Sequence, residues 1–103
     1  MIFIGIGSNT PATGFVSPKA TIRAAIDLFD DFDITLVKLS KFYATSPVPA
    51  SDQPWFVNCV AQIETFLSPV ECMANLHRLE FAFQRVRSVP NASRTLDLDL
   101  WDY

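Results

Sequence analysis

A chain of 103 residues, half of them hydrophobic, has room for one domain with a core of its own and excludes a second. A formal charge of −3 and an isoelectric point near 4.8 argue against general nucleic-acid binding, which needs a basic footprint, so any anion site must be local. Residues 1–5 carry no basic flank and are far too few for a signal or membrane span. Cys59 and Cys72 stand at no metal or redox spacing, so two reduced, buried thiols and a cytoplasmic setting are expected.

Residues 2–7 read as a short buried strand ended by glycine and the turn formers 8–11, and all three glycines lie in the first fourteen positions. Ser17 and Pro18 supply an N-cap and a proline at the first helical position. Ile22, Ala25, Ile26 and Phe29 follow at i, i+3, i+4 and i+7, which predicts an amphipathic helix ending near Asp30 and Asp31. The β-branched and aromatic content of 34–43 indicates a second strand, and 45–54 is a long proline-rich loop of the kind that more often serves function than connection. Over 56–65 the chain alternates: Val57, Cys59, Ala61 and Ile63 share one face, and Phe56, Asn58, Val60 and Gln62 the other. Ser68, Pro69 and Glu71 form a capping box, and Cys72, Leu76, Leu79 and Phe83 carry the stripe of a second helix. Residues 85–93 make a second loop and 96–101 a closing strand. The order β-α-β-β-α-β predicts an α+β, ferredoxin-like fold, an antiparallel sheet with helices on one face.

The closing strand holds the most informative run, Arg94-Thr95-Leu96-Asp97-Leu98-Asp99-Leu100. Side chains of a strand alternate, so Asp97 and Asp99 share one face at a separation of roughly 6 to 7 Å, and the leucines point to the core. That spacing suits one or two Mg²⁺ ions bridging a polyphosphate. An amphipathic strand shows the same alternation with no metal at all. The arginines favour the metal reading, because Arg85, Arg87 and Arg94 lie within ten positions of one another in a net acidic chain, and phosphate chemistry needs that mixture of charges.

Four motifs in this order resemble one family, 6-hydroxymethyl-7,8-dihydropterin pyrophosphokinase of folate biosynthesis. They are Ile6-Gly7-Ser8-Asn9; Ser40-Lys41-Phe42-Tyr43-Ala44-Thr45 with Pro47; Asp52-Gln53-Pro54-Trp55-Phe56-Val57-Asn58; and Arg94-Thr95-Leu96-Asp97-Leu98-Asp99, with Leu67-Ser68-Pro69 and residues 80–87 between them. The resemblance implies transfer of a diphosphate from ATP to the hydroxymethyl group of a reduced pterin, with release of AMP. Catalysis of that kind rests on positioning and charge neutralisation. It further implies that Asp97 and Asp99 hold two Mg²⁺ ions and act in catalysis with Arg85 and Arg94. Arg87, Arg94, His77 and Leu100 would lie by the nucleotide. Asn58 would hydrogen-bond the pterin and Phe56 stack on it, while Thr45, Ser46 and Val48 would touch it chiefly through backbone groups. Glu80 matches a pterin- or metal-proximal acid, with a solvent-facing helix carboxylate as the alternative. The partners implied are ATP and the pterin, with no nucleic acid and no membrane, and the family is monomeric.

The chain departs from the family pattern in three places. The run 89–94 is one residue short ahead of Arg94, so the second loop should close differently. Gln84 replaces an expected glycine and removes a ready left-handed helix stop. Finally, the chain is expected to be one pyrophosphokinase-like domain lacking the family's C-terminal third, which supplies further histidine, arginine and a second stacking aromatic, so that activity is expected to be impaired. The competing reading is a non-catalytic ferredoxin-like module that pairs with another copy through an open sheet edge. RNA binding through an aromatic sheet face is weaker, for want of a basic surface.

Overall fold

The structure, a computed structural model, describes residues 1–46, 54–84 and 94–102. Its elements run β1 (Ile2–Ser8), α1 (Pro18–Asp27), a 3-10 turn (Phe29–Phe32), β2 (Thr35–Leu39), β3 (Tyr43–Thr45), β4 (Phe56–Glu64), α2 (Pro69–Ala82) and β5 (Asp97–Asp102). The strands form an antiparallel sheet in the order β2-β4-β1-β5, with β3 beside β2 on the outer side of β4. This is the expected α+β, ferredoxin-like plan.

Both helices start as the sequence predicts. The Ser17 hydroxyl accepts from Ala20 N at 3.1 Å, and Ser68 and Glu71 complete a reciprocal capping box. Ile22, Ala25 and Phe29 from the first helical segment, and Cys72, Leu76 and Leu79 from α2, pack on Ile4, Ile6, Cys59, Ala61, Ile63, Leu96 and Leu98 as one buried cluster. The sheet therefore has one dry face beneath the helices and one face without them.

Two expectations change. The second strand is not continuous over 34–43, because Val60 N donates to the Ser40 hydroxyl at 2.8 Å while Ser40 N donates to Val60 O. A side-chain oxygen thus stands where a ladder carbonyl would, and with the register shift between Leu36 and Lys38 it divides the segment into β2 and β3. Gln84 does serve as the helix stop, at φ 63°, despite its side chain. Its Oε1 accepts from Thr13 N at 3.0 Å and its amide donates to Ala82 O at 3.4 Å, which offsets the left-handed strain of a non-glycine residue.

Candidate active site

The site is built on the helix-free sheet face, where strand register brings four strands into one row. Gly7 pairs with Asp97 on one side and Asn58 on the other, and Asn58 pairs in turn with Tyr43. In the next row Gly5 stands between Asp99 and Val60. Asp97, Asp99 and Trp101 share this face by alternation, since Leu96 and Leu98 are buried on the other. A cavity of about 50 Å³ lies among Gly5, Gly7, Tyr43, Asn58, Asp97, Asp99 and Trp101. It is far smaller than the roughly 300 Å³ or more of a small-molecule pocket, so these residues make a floor rather than an enclosure. An apolar hollow of about 230 Å³ along Phe3, Lys38, Val60 and Gln62 continues the same face toward β2.

The glycines are what the sequence reading missed. A Cβ at Gly5 would overlap the Trp101 indole, and one at Gly7 would lie 2.7 Å from Asn58 Oδ1. Glycine at i and i+2 of a strand interior marks a face that something else must approach closely, and that signal was available. Trp101, with the parity of the two aspartates, and Tyr43 were legible on the same grounds.

Electrostatically, the Arg94 guanidinium donates to Asp97 Oδ2 at 3.3 Å, an ion pair in which Asp97 is the more buried partner and Arg94 is about a third exposed. On β4, Asn58 Nδ2 donates to Thr45 Oγ1 at 2.7 Å, and Thr45 itself pairs with Phe56. Three residues expected around the pterin, Thr45, Phe56 and Asn58, are thus brought together. Thr45 belongs to β3 and not to a loop, and it contributes its side chain as well as its backbone. Ser46 follows it, exposed. Val48, Arg85 and Arg87 lie outside the described residues.

Three other candidate residues do not line the cavity. His77 is exposed on α2 and does not line the cavity. The Leu100 side chain is half-buried and packs against the core, which leaves its backbone for any contact with a nucleotide. Glu80 neither faces solvent nor lines the cavity: it is 1% exposed, and its Oε2 accepts from Leu98 N at 2.7 Å. Because N–H groups alternate in direction along an antiparallel strand, this bond caps the outer side of β5 between the two aspartates.

In the core beneath the sheet, burial pushes the Cys59 thiol up to about 11, against a smaller opposing effect of Arg23, and burial also raises that of Cys72. Both are free cysteines held as neutral thiols, as expected, and neither is a nucleophile at neutral pH. Among the described residues no helix is long and apolar enough to cross a membrane.

Residues 3–103 match the family described as 7,8-dihydro-6-hydroxymethylpterin-pyrophosphokinase. The chain belongs to this family. It is similar to the 2-amino-4-hydroxy-6-hydroxymethyldihydropteridine pyrophosphokinases of Haemophilus influenzae (39% identical over 102 residues), Pseudomonas aeruginosa (37% over 100) and Bacillus subtilis (33% over 100). These alignments cover 98, 96 and 95% of this chain and 61, 59 and 56% of the respective relatives, so the chain spans a little over half the length of the proteins it matches.

As a donor set, the two aspartates fit one kind of metal. Among the described residues no group of three or more His, Cys, Asp or Glu side chains could hold an ion. A cation that takes only one or two carboxylates, and fills its other positions with water and substrate phosphate, still suits Asp97 and Asp99, and Mg²⁺ behaves in that way.

Proposed function

We propose that this chain takes part in the transfer of a diphosphate from ATP to 6-hydroxymethyl-7,8-dihydropterin, releasing AMP, in the cytoplasm. The observation that carries the proposal is the row Asp97–Gly7–Asn58, which sets acidic and amide side chains on two strands with only a glycine between them. Asp97 and Asp99 would hold the two Mg²⁺ ions, which when bound neutralise phosphate charge and polarise the attacking hydroxyl.

The chain's own residues supply the positioning. Arg94 orients Asp97 through their ion pair and presents its remaining N–H donors to phosphate oxygens, with Arg85 and Arg87 proposed to reinforce it. His77 is proposed as a peripheral polar contact of the nucleotide, and the Leu100 backbone as a closer one. Asn58, released from Thr45, offers donor and acceptor together to a pterin edge, and Phe56 offers a ring to stack on. Thr45, Ser46 and Val48 complete that side. In-line transfer then needs the pterin hydroxyl and the β-phosphorus brought together over Gly7, a matter of orientation and not of covalent catalysis.

The test is a reaction containing the chain, Mg²⁺, ATP and the pterin, with AMP measured against a control without pterin. AMP formed only with both substrates supports the reading, and its absence at high protein concentration refutes catalysis by this chain. Asp97→Ala and Asp99→Ala should each abolish Mg²⁺-dependent nucleotide binding, and unchanged affinity in both removes the metal assignment. The non-catalytic edge-pairing module is not favoured. Family membership speaks for the enzyme, and the Glu80 carboxylate already occupies the outer N–H of Leu98 on β5.

A further inference from the structure

Asn9, the last residue of the Ile6-Gly7-Ser8-Asn9 motif at the end of β1, has only 2% of its surface exposed. An asparagine in a turn usually satisfies itself locally through its own backbone. Here the one local bond is a long one, from Thr10 Oγ1 to Asn9 Oδ1 at 3.5 Å, while shorter bonds reach residues 45 and 85 positions away. Its Oδ1 accepts from Arg94 N at 2.7 Å, its own N–H donates to Arg94 O at 3.0 Å, and its Nδ2 donates to Pro54 O at 3.2 Å. One amide thereby grips two distant segments, using acceptor and donor at once, which few side chains of this length can do.

Both gripped residues lead directly into the site. Pro54 stands two positions before Phe56 at the start of β4, and Arg94 three before Asp97 at the start of β5. A strand that slips by one residue turns all its side chains to the opposite face. Fixing the first residues of β4 and β5 therefore fixes which side chains face the open side of the sheet: Phe56 and Asn58 from one strand, Asp97 and Asp99 from the other. We infer that Asn9 is a positioning residue shared by the pterin half and the phosphate half of the site, acting on the first through Pro54 and on the second through Arg94. The inference rests on the pyrophosphokinase reading above.

The two arms can be separated chemically. Asn9→Ala removes acceptor and donor together. Asn9→Asp keeps an acceptor for Arg94 N but sets a second acceptor against Pro54 O. Calorimetric titrations of the full chain, one with Mg²⁺ and a non-hydrolysable ATP analogue and one with 6-hydroxymethylpterin, read the halves independently, with thermal denaturation as the folding control. Asn9→Ala should weaken both ligands about tenfold, the effect of orphaning a buried polar group, whereas Asn9→Asp should weaken the pterin about tenfold and leave the nucleotide within about twofold. A general structural role would weaken both ligands equally in both variants, and that result overturns the inference, as does Asn9→Ala with both affinities unchanged. If Asn9→Ala does not fold, the split in Asn9→Asp decides alone. An unaltered chain that binds neither ligand refutes the pyrophosphokinase reading and the inference with it; one that binds both, beside unaffected variants, refutes the inference only.

Discussion

Replacing Gly7 with alanine adds one methyl group at the centre of the proposed site, and the structure fixes what that group meets. A Cβ there lies 2.7 Å from Asn58 Oδ1 and 3.6 Å from Phe56 Cδ1. The second distance is ordinary contact; the first is not tolerated. The offending atom is the end of a side chain, so the amide moves and the sheet does not. That movement breaks the 2.7 Å bond between Asn58 Nδ2 and Thr45 Oγ1. Loss of an exposed hydrogen bond costs about 0.5–1.5 kcal/mol, and alanine in place of a strand-interior glycine returns about 0.5–1 kcal/mol by restricting the unfolded chain. Folding stability should therefore change by less than about 1 kcal/mol, a shift of a few degrees in Tm. Pterin recognition should not be spared in the same way. An amide that can no longer meet the pterin edge leaves polar groups unpaired, at about 1–3 kcal/mol, which weakens the pterin roughly 5- to 150-fold. The assay is a pterin titration beside thermal denaturation and a Mg²⁺-nucleotide titration, the last expected to be unchanged. Unaltered pterin affinity in a folded Gly7→Ala protein would refute the placement of Asn58. A loss that merely tracks Tm would refute the claim that the glycine serves the site.

Two further predictions concern groups beneath the site. Glu80→Leu strips the acceptor from Leu98 N and should destabilise the protein by about 1–3 kcal/mol in urea denaturation. Glu80→Gln retains an acceptor and should recover most of that loss; equal destabilisation by both would show that the bond to Leu98 is not what matters. The Cys59 thiol, raised to about 11 in the folded protein, is neutral where an exposed thiol would already be ionised. The unfolded chain thus releases its proton first, so this stabilisation is full below the unfolded pKa near 9 and is lost as pH climbs toward 11. The fall in urea midpoint between pH 8.5 and 11 should be smaller in Cys59→Ala than in the unaltered chain, and parallel curves would exclude the effect.

The elements were legible where local pattern and tertiary demand coincide. Ser17 and Ser68 cap helices as their neighbours dictate, and the alternation over 56–63 assigns Cys59, Ala61 and Ile63 inward and Phe56 and Asn58 outward. What stayed hidden depends on partners far along the chain. Nothing near Glu80 announces that its carboxylate meets an N–H 18 residues later, and the apolar stripe of α2 does not distinguish a buried acid from a flanking one. Ser40 reads as one more strand residue until its hydroxyl is seen to take a backbone N–H from β4. Gln84 was expected to remove the helix stop because its bond to Thr13, across 71 residues, could not be read locally.

The same distinction clarifies the paired aspartates. Alternation alone gives Asp97 and Asp99 a common face, but many strands do that. What gives them a use is the strand beside them. β1 lies between β5 and β4, so the backbones of Asp97 and Asn58 stand two strand spacings apart, about 9.5 Å. Gly7 puts no side chain of its own in the lane between them, into which the Asn58 amide reaches, and Gly5 leaves the next lane to Trp101. With Asn58 and the aspartates in the roles proposed above, any larger residue at position 7 would crowd the space between them. On the proposed reading the two aspartates and the glycine motif, 90 residues apart in sequence, meet one geometric requirement: charge on one strand, recognition two strands away, and a glycine between them.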